Sequence, residues 1–171
     1  MTTLYHGSYT EVSAPLAKVG RRNLDFGQGF YLNSIQQQAE NWATIIASRK
    51  GRNVVGRVSV FLFDENRAIV DGVRFKRFDS YDIEWLNYVV DCRKGKDISF
   101  DFDIVEGGVA NDNVIDTVED YEKGVITAEQ ALGQLRYKAV NHQICILNQV
   151  VIDKYLQFVE CITLQDEEDA L

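Results

Sequence analysis

The chain has 171 residues, 46% hydrophobic and 11% aromatic, which suits one domain with an ordinary core. A formal charge of −8 repels phosphodiester backbones at long range, and no run approaches the roughly 18 apolar residues of a membrane helix, so nonspecific nucleic-acid binding and a membrane partner are not expected. Three scattered cysteines (Cys92, Cys145, Cys161) and two histidines, with no Cys-x-x-Cys pair, point to buried reduced thiols and no metal site, while the polar opening without a leader points to the cytosol.

The first predicted helix begins at Ser34, whose hydroxyl can cap it with Gln37 as capping-box partner, and carries Ala39, Trp42, Ile45 and Ile46 at helical spacing. It should stop near Lys50-Gly51, with basic residues at the negative end of the helix dipole. Asn53 to Asp64 is rich in β-branched and aromatic residues and predicts a central strand. Asp79 to Cys92 predicts a helix through Ile83, Leu86, Val89 and Val90, stopped by Lys94-Gly95. Phe100 to Val105 alternates as a half-buried strand running into a turn at Glu106-Gly107-Gly108. A helix should start at Thr127, with Gln130 completing its capping box; strands come next at Gln143 to Leu147 and Gln157 to Leu164, joined by a short helix through Val150 to Tyr155. Helices and strands mix without strict alternation, so the class is α+β, one domain over residues 1–164 with an acidic, frayed tail at 165–171.

Two segments suggest chemistry. In Leu4-Tyr5-His6-Gly7-Ser8 a histidine on an edge strand can offer a ring nitrogen to a ligand hydroxyl, and the glycine lets a flat ligand approach the backbone; a structural histidine before a turn glycine is the simpler account. In Asp25-Phe26-Gly27-Gln28-Gly29-Phe30-Tyr31 the glycines allow a tight turn and Tyr31 offers a face for stacking. No helix starts on those glycines and no third glycine comes after them, which excludes the Rossmann dinucleotide fingerprint.

Together, His-Gly, then Phe-Gly-x-Gly-Phe-Tyr, then a helix with Gln-Ala-x-x-Trp resembles the NAD-binding half of the ADP-ribosyltransferases, in the branch with a His-Tyr-Glu signature. The chain is similar to a small bacterial family of uncharacterised domains that share these motifs and a later Gly-x-Val-Ala-Asn-Asp, whose last five positions are here Gly108 to Asp112, followed by Gln143-Ile144. The resemblance implies a split β-sandwich with flanking helices and NAD as co-substrate without a metal. It gives His6 the adenosine-side ribose hydroxyl, Gly7 the nicotinamide carboxamide and Tyr31 the nicotinamide ring, with Ser8 and Gly29 beside them. Trp42 becomes a candidate opposing wall, or else a core residue of its helix.

The family's catalytic glutamate falls at Gln143, with His142 as second candidate for the slot. Glutamine keeps a hydrogen bond to the nicotinamide-side ribose but supplies no negative charge, a loss of about 2.7–4 kcal/mol of transition-state stabilisation. Asp112, or else Glu106, could supply the missing carboxylate, although ordinary loop capping accounts for either. The resemblance implies a mono-ADP-ribosyltransferase acting on a macromolecule, as the toxin of a bacterial toxin–antitoxin pair with an antitoxin protein as partner. The acidic surface favours a protein acceptor, while a basic rim at Arg21 and Arg22 keeps a nucleic-acid acceptor open. The competing expectation is a module that binds NAD or ADP-ribose without turnover.

Overall fold

The structure, a computed structural model, describes residues 1–97, 101–111 and 114–165. Among these it is α+β, with seven strands and six helices. Two compact units divide the chain: the first combines Met1–Leu16, Tyr31–Val73 and Gln149–Leu171, the second Ala17–Phe30 and Arg74–Asn148.

The first unit is built on an antiparallel sheet of β1 (Thr2–Ser8), β3 (Arg57–Phe63) and β7 (Leu156–Thr163), in the order β1-β3-β7. Helix α1 (Gln36–Lys50) lies on one face. Its buried residues are Ala39, Ala43 and Ala47, one every four positions, while Trp42 and Ile45 are exposed. The contact face is therefore an alanine stripe and not the larger apolar residues that the spacing also permits. The reason is distance. A Cβ on Gly7 of β1 would stand 2.1 Å from the Ala39 carbonyl oxygen, and one on Gly56 would stand 2.9 Å from the Ala43 carbonyl carbon. Helix and sheet approach so closely that only glycine on one side and alanine on the other fit between them.

Helix α1 starts later than expected, at Gln36, with Ile35 in extended conformation at its N-cap and no side-chain cap; Gln37 bonds Asn41 instead. The cause is non-local. Asn33 exchanges backbone hydrogen bonds with Tyr5, at 2.9 and 2.8 Å, which keeps the chain extended at that bridge. The C-terminus behaves as expected, with Arg49 and Lys50 in the last turn and Gly51 donating to the Ala47 carbonyl. Two short helices complete the unit, α2 (Glu65–Val70), capped by Asp64, and α6 (Gln149–Tyr155), which leads into β7.

In the second unit β4 (Phe75–Arg77) runs parallel to β5 (Ile104–Gly108), which pairs antiparallel with β6 (His142–Ile146). The short β2 spans Phe30–Leu32, where the second unit's first segment ends and the first unit resumes. Glu106-Gly107-Gly108, expected as a turn, is the end of β5. Both glycines answer to packing: a Cβ on Gly107 would meet Phe78 at 2.8 Å, and one on Gly108 the Tyr81 ring at 2.4 Å. Of the strand expected from Phe100, position 100 lies outside the described residues, and the regular pairing begins at Ile104.

Helix α3 (Ile83–Arg93) is capped by Asp82, which accepts from the Trp85 N–H at 2.8 Å, and buries Trp85, Leu86, Val89, Val90 and Cys92. Its stop at Lys94 and left-handed Gly95 matches the sequence. Helix α4 (Ile115–Glu122) is not signalled by the sequence, whereas α5 (Ala128–Leu135) has the expected capping box of Thr127 and Gln130. Asp103 clasps the unit: its carboxylate accepts from the Arg74 backbone N–H and guanidinium and from the Asn148 amide, at 2.9–3.1 Å. Cys92 and Cys145 are buried thiols as expected, but Cys161 is only half-buried.

Candidate functional site

His6 sits on β1 in register with Ser59 of β3, which is in turn opposite Cys161 of β7. Cross-strand partners share a face, so these three side chains form a row on the sheet face opposite α1. Ser59 is fully buried and its hydroxyl accepts the Val12 N–H at 2.9 Å, tying the segment after β1 across that row. The sequence marks Ser59 only as a polar residue in an apolar strand and carries no local sign of this role.

The His6 Nδ1 lies 2.8 Å from the Tyr31 carbonyl oxygen. A carbonyl can only accept, so Nδ1 carries the proton and the neutral ring presents Nε2 as an acceptor. Burial pulls the His6 pKa below its ordinary value, against the smaller opposing pull of the Tyr31 carbonyl, which favours the neutral ring. Twenty-five positions apart in sequence, the His-Gly and Phe-Tyr motifs thus meet through this bond. Tyr31 is half-buried, its neighbours Phe30 and Leu32 being buried on the other side of β2.

Gly7 has two distinct roles. Its missing side chain admits α1 against the sheet. Its backbone faces elsewhere: Tyr5 exchanges hydrogen bonds with Asn33 on the outer edge of β1, so alternation turns the His6 backbone to β3 and the Gly7 N–H and C=O to the outer edge again. There a donor and an acceptor stand side by side on a strand edge that, among the described residues, pairs with no further strand at Gly7. Ser8, half-buried, accepts from the Thr10 N–H at 3.5 Å in the turn after β1. Trp42 is 44% exposed, with the Arg49 guanidinium 5.9 Å from its ring centre; its role as a core residue is overturned, because the alanines fill that face.

Gly29 and Gln143 belong to the second unit. A Cβ on Gly29 would stand 2.5 Å from the Cys145 sulfur and 2.8 Å from the Ile146 carbonyl oxygen, so packing against β6 accounts for this glycine. Gln143 is the second residue of β6, half-buried, opposite Gly107. His142 and Glu106 lie on the other face of this sheet, since His142 precedes Gln143 and Glu106 is opposite Ile144. Glu106 is also ion-paired with Arg77. Glu106 therefore does not stand in for a carboxylate at Gln143. Asp112 lies outside the described residues.

The Asp-Phe-Gly motif has a structural function that the sequence does not disclose. The Asp25 carboxylate accepts the Ala110 N–H at 2.7 Å and pairs with Arg93 of α3 at 3.2 Å. It thereby joins the Gly-x-Gly segment to the Gly-x-Val-Ala segment after β5. Desolvation by burial raises the Asp25 pKa, opposed by those two partners. Phe26, fully buried, stacks on Phe78 with ring centres 6.3 Å apart. Among the described residues no group of three or more His, Cys, Asp or Glu could hold a metal ion, and no helix is long and apolar enough to cross a membrane.

A family model described as protein of unknown function (DUF3990) matches residues 2–158. No curated protein and no solved structure matches the chain.

Proposed function

The chain belongs to the DUF3990 family, and from the chemistry carried within the matched span we propose that it is a mono-ADP-ribosyltransferase with an ADP-ribosyltransferase-like fold, transferring ADP-ribose from NAD to a macromolecule with release of nicotinamide. The observation that carries this is the hydrogen bond from His6 Nδ1 to the Tyr31 carbonyl. It fixes the tautomer whose Nε2 can accept a ribose hydroxyl proton, and it does so at the junction of the two motifs that the resemblance assigns to NAD. The donor and acceptor of Gly7 on the outer edge of β1 suit a primary carboxamide, which has one acceptor and two donors of its own.

In the reaction the bond between the nicotinamide nitrogen and the ribose C1′ breaks with its electron pair leaving on nicotinamide. An acceptor nucleophile then bonds to C1′ and loses its proton. Gln143, in the glutamate's place, can hold the ribose hydroxyl but cannot offset the positive charge developing on the sugar, so turnover is slow. Single ADP-ribose addition fits this better than chain elongation. We place the activity in the cytosol and, by resemblance, in a toxin–antitoxin pair.

A second reading, NAD or ADP-ribose binding without turnover, is favoured by one observation: Gln143 is an uncharged amide and Glu106 faces away from it. Incubating the whole chain with NAD and measuring nicotinamide release separates the two. Release above background that is lost in His6→Ala supports the transferase. NAD binding with no release supports the module, and absence of both overturns each.

A further inference from the structure

The second unit contains a cleft of about 330 Å³, and none of the residues assigned to NAD lines it. We propose that this cleft is a separate binding site for a phosphate-bearing ligand of nucleotide size, independent of the transferase reading. Among the described residues its walls carry three cations, Lys18, Arg22 and Lys96, against a single carboxylate, Asp97. Such an excess runs against a chain with 26 acidic and 18 basic residues. Lys96 bonds Asp91 at 3.0 Å, whereas Lys18 and Arg22 make no ion pair among the described residues. Two cations that make no ion pair among the described residues, set on a concave wall, focus a positive field there.

The loop that carries them is held in shape. The Gln28 side-chain amide donates to the carbonyls of Lys18 and Gly20, at 3.1 and 2.7 Å, closing the segment onto itself. Gly27 completes the turn in left-handed conformation, φ 84°, with its N–H on the Leu24 carbonyl at 3.0 Å. The cations thus project from a fixed backbone, which lowers the entropy lost on binding. A planar guanidinium and ammonium groups on the walls of one cleft suit a phosphate dianion, which accepts several charge-assisted bonds at once. The volume lies at the lower end of the roughly 300–1,000 Å³ of small-ligand pockets, which is more than a bare phosphate needs.

Calorimetric titration of the whole chain with adenosine monophosphate, adenosine and inorganic phosphate, each at low and high salt, tests this. Adenosine monophosphate should bind at least about tenfold more tightly than adenosine and weaken with salt, and Lys18→Ala with Arg22→Ala should weaken it on the order of 100-fold, about tenfold for each cation. Both side chains are exposed, so the melting temperature of the double variant should match the parent. Inorganic phosphate binding as tightly as the nucleotide overturns the assignment to a ligand of nucleotide size. Adenosine binding equal to that of its monophosphate overturns the proposal. So does nucleotide binding that survives the double substitution, including the case in which His6→Ala abolishes it, which would place the nucleotide at the NAD site.

Discussion

Replacing Gly7 with alanine tests the claim that α1 is set by a glycine–alanine seam. The added Cβ would stand 2.1 Å from the Ala39 carbonyl oxygen and 3.0 Å from the carbonyl carbon, against an ordinary contact of 3.4–4 Å. The obstacle is helix backbone, so relief requires α1 to move by more than about 1 Å along a seam that also includes Ala43 and Ala47. Overpacking of this kind costs roughly 1–3 kcal/mol, offset by about 0.4–1 kcal/mol from the stiffer unfolded chain. A net loss near the upper end, about 2 kcal/mol, lowers the melting temperature by roughly 4–8 °C in a chain of this size. Gly133→Ala is the control. Gly133 is an exposed residue of α5 with nothing within 4 Å of its built Cβ, so alanine should stabilise by about 0.5–1 kcal/mol. Thermal melts monitored by circular dichroism read both. Gly7→Ala melting with the parent protein, or Gly133→Ala melting below it, would refute the packing account.

Under the proposed function, placing a carboxylate at Gln143 should raise the rate of nicotinamide release by on the order of 100- to 1000-fold if this position contacts the reacting ribose; a Gln143→Glu variant no faster than the parent removes it from the chemistry. The Asp103 pKa falls from 3.8 to about 2, chiefly through its hydrogen bonds to the Arg74 side chain. A depressed carboxylate stabilises the fold above its unfolded pKa and loses that contribution as pH drops through about 2, an effect of about 1–2 kcal/mol once screening at the half-exposed Arg74 is allowed for. Urea denaturation between pH 5 and 2 should therefore show a decline that Asp103→Asn flattens. Burial pushes the Cys92 thiol up to about 12. In the native protein at pH 7.5 a thiol reagent should modify half-buried Cys161 first and leave Cys92 and Cys145 unmodified until unfolding, as peptide mass spectrometry would show.

The features legible in the sequence are local ones. The Thr127–Gln130 box, the Lys94-Gly95 stop and the apolar run of β3 each depend on residues within one or two turns of each other. The features it conceals are set by distant partners. Ser34 and Gln37 are a sound capping pair in isolation, yet the Tyr5–Asn33 bridge holds the chain extended there and moves the start of α1 to Gln36. Gly107-Gly108 has the composition of a turn, but Phe78 and Tyr81 occupy the space where side chains would stand. The three residues of β4 and six of α2 are too few to establish a period. At the site, His6 and Tyr31 are legible as motifs, but the tautomer-fixing bond between them and the burial of Ser59 beside His6 depend on strand register, which no local pattern encodes.

That distinction bears on how much each motif residue says about a ligand. Packing already accounts for the glycines at 7 and 29, and Asp25 is accounted for by its hold on Ala110 and Arg93. Under the proposed function the reading of a ligand therefore rests on His6, Tyr31 and Gln143, each within its own unit, while Asp25 should behave as a fold residue. Asp25→Ala leaves the Ala110 N–H without its acceptor and removes from Arg93 its most buried partner, though Glu119 and Glu122 remain within 3.5 and 3.8 Å of it. Breaking a buried pair in this way should cost about 3 kcal/mol. Asp25→Asn keeps an acceptor for Ala110. It also relieves the burial penalty that raises the Asp25 pKa, a penalty present at neutral pH because a raised carboxylate loses its contribution as pH climbs through the folded pKa. Its cost should be smaller, about 1 kcal/mol. Under the proposed function both variants, once folded, should bind NAD as tightly as the parent. Equal stability of Asp25→Ala and the parent, or loss of NAD binding in a stably folded Asp25→Asn, would transfer this carboxylate from the fold to the site.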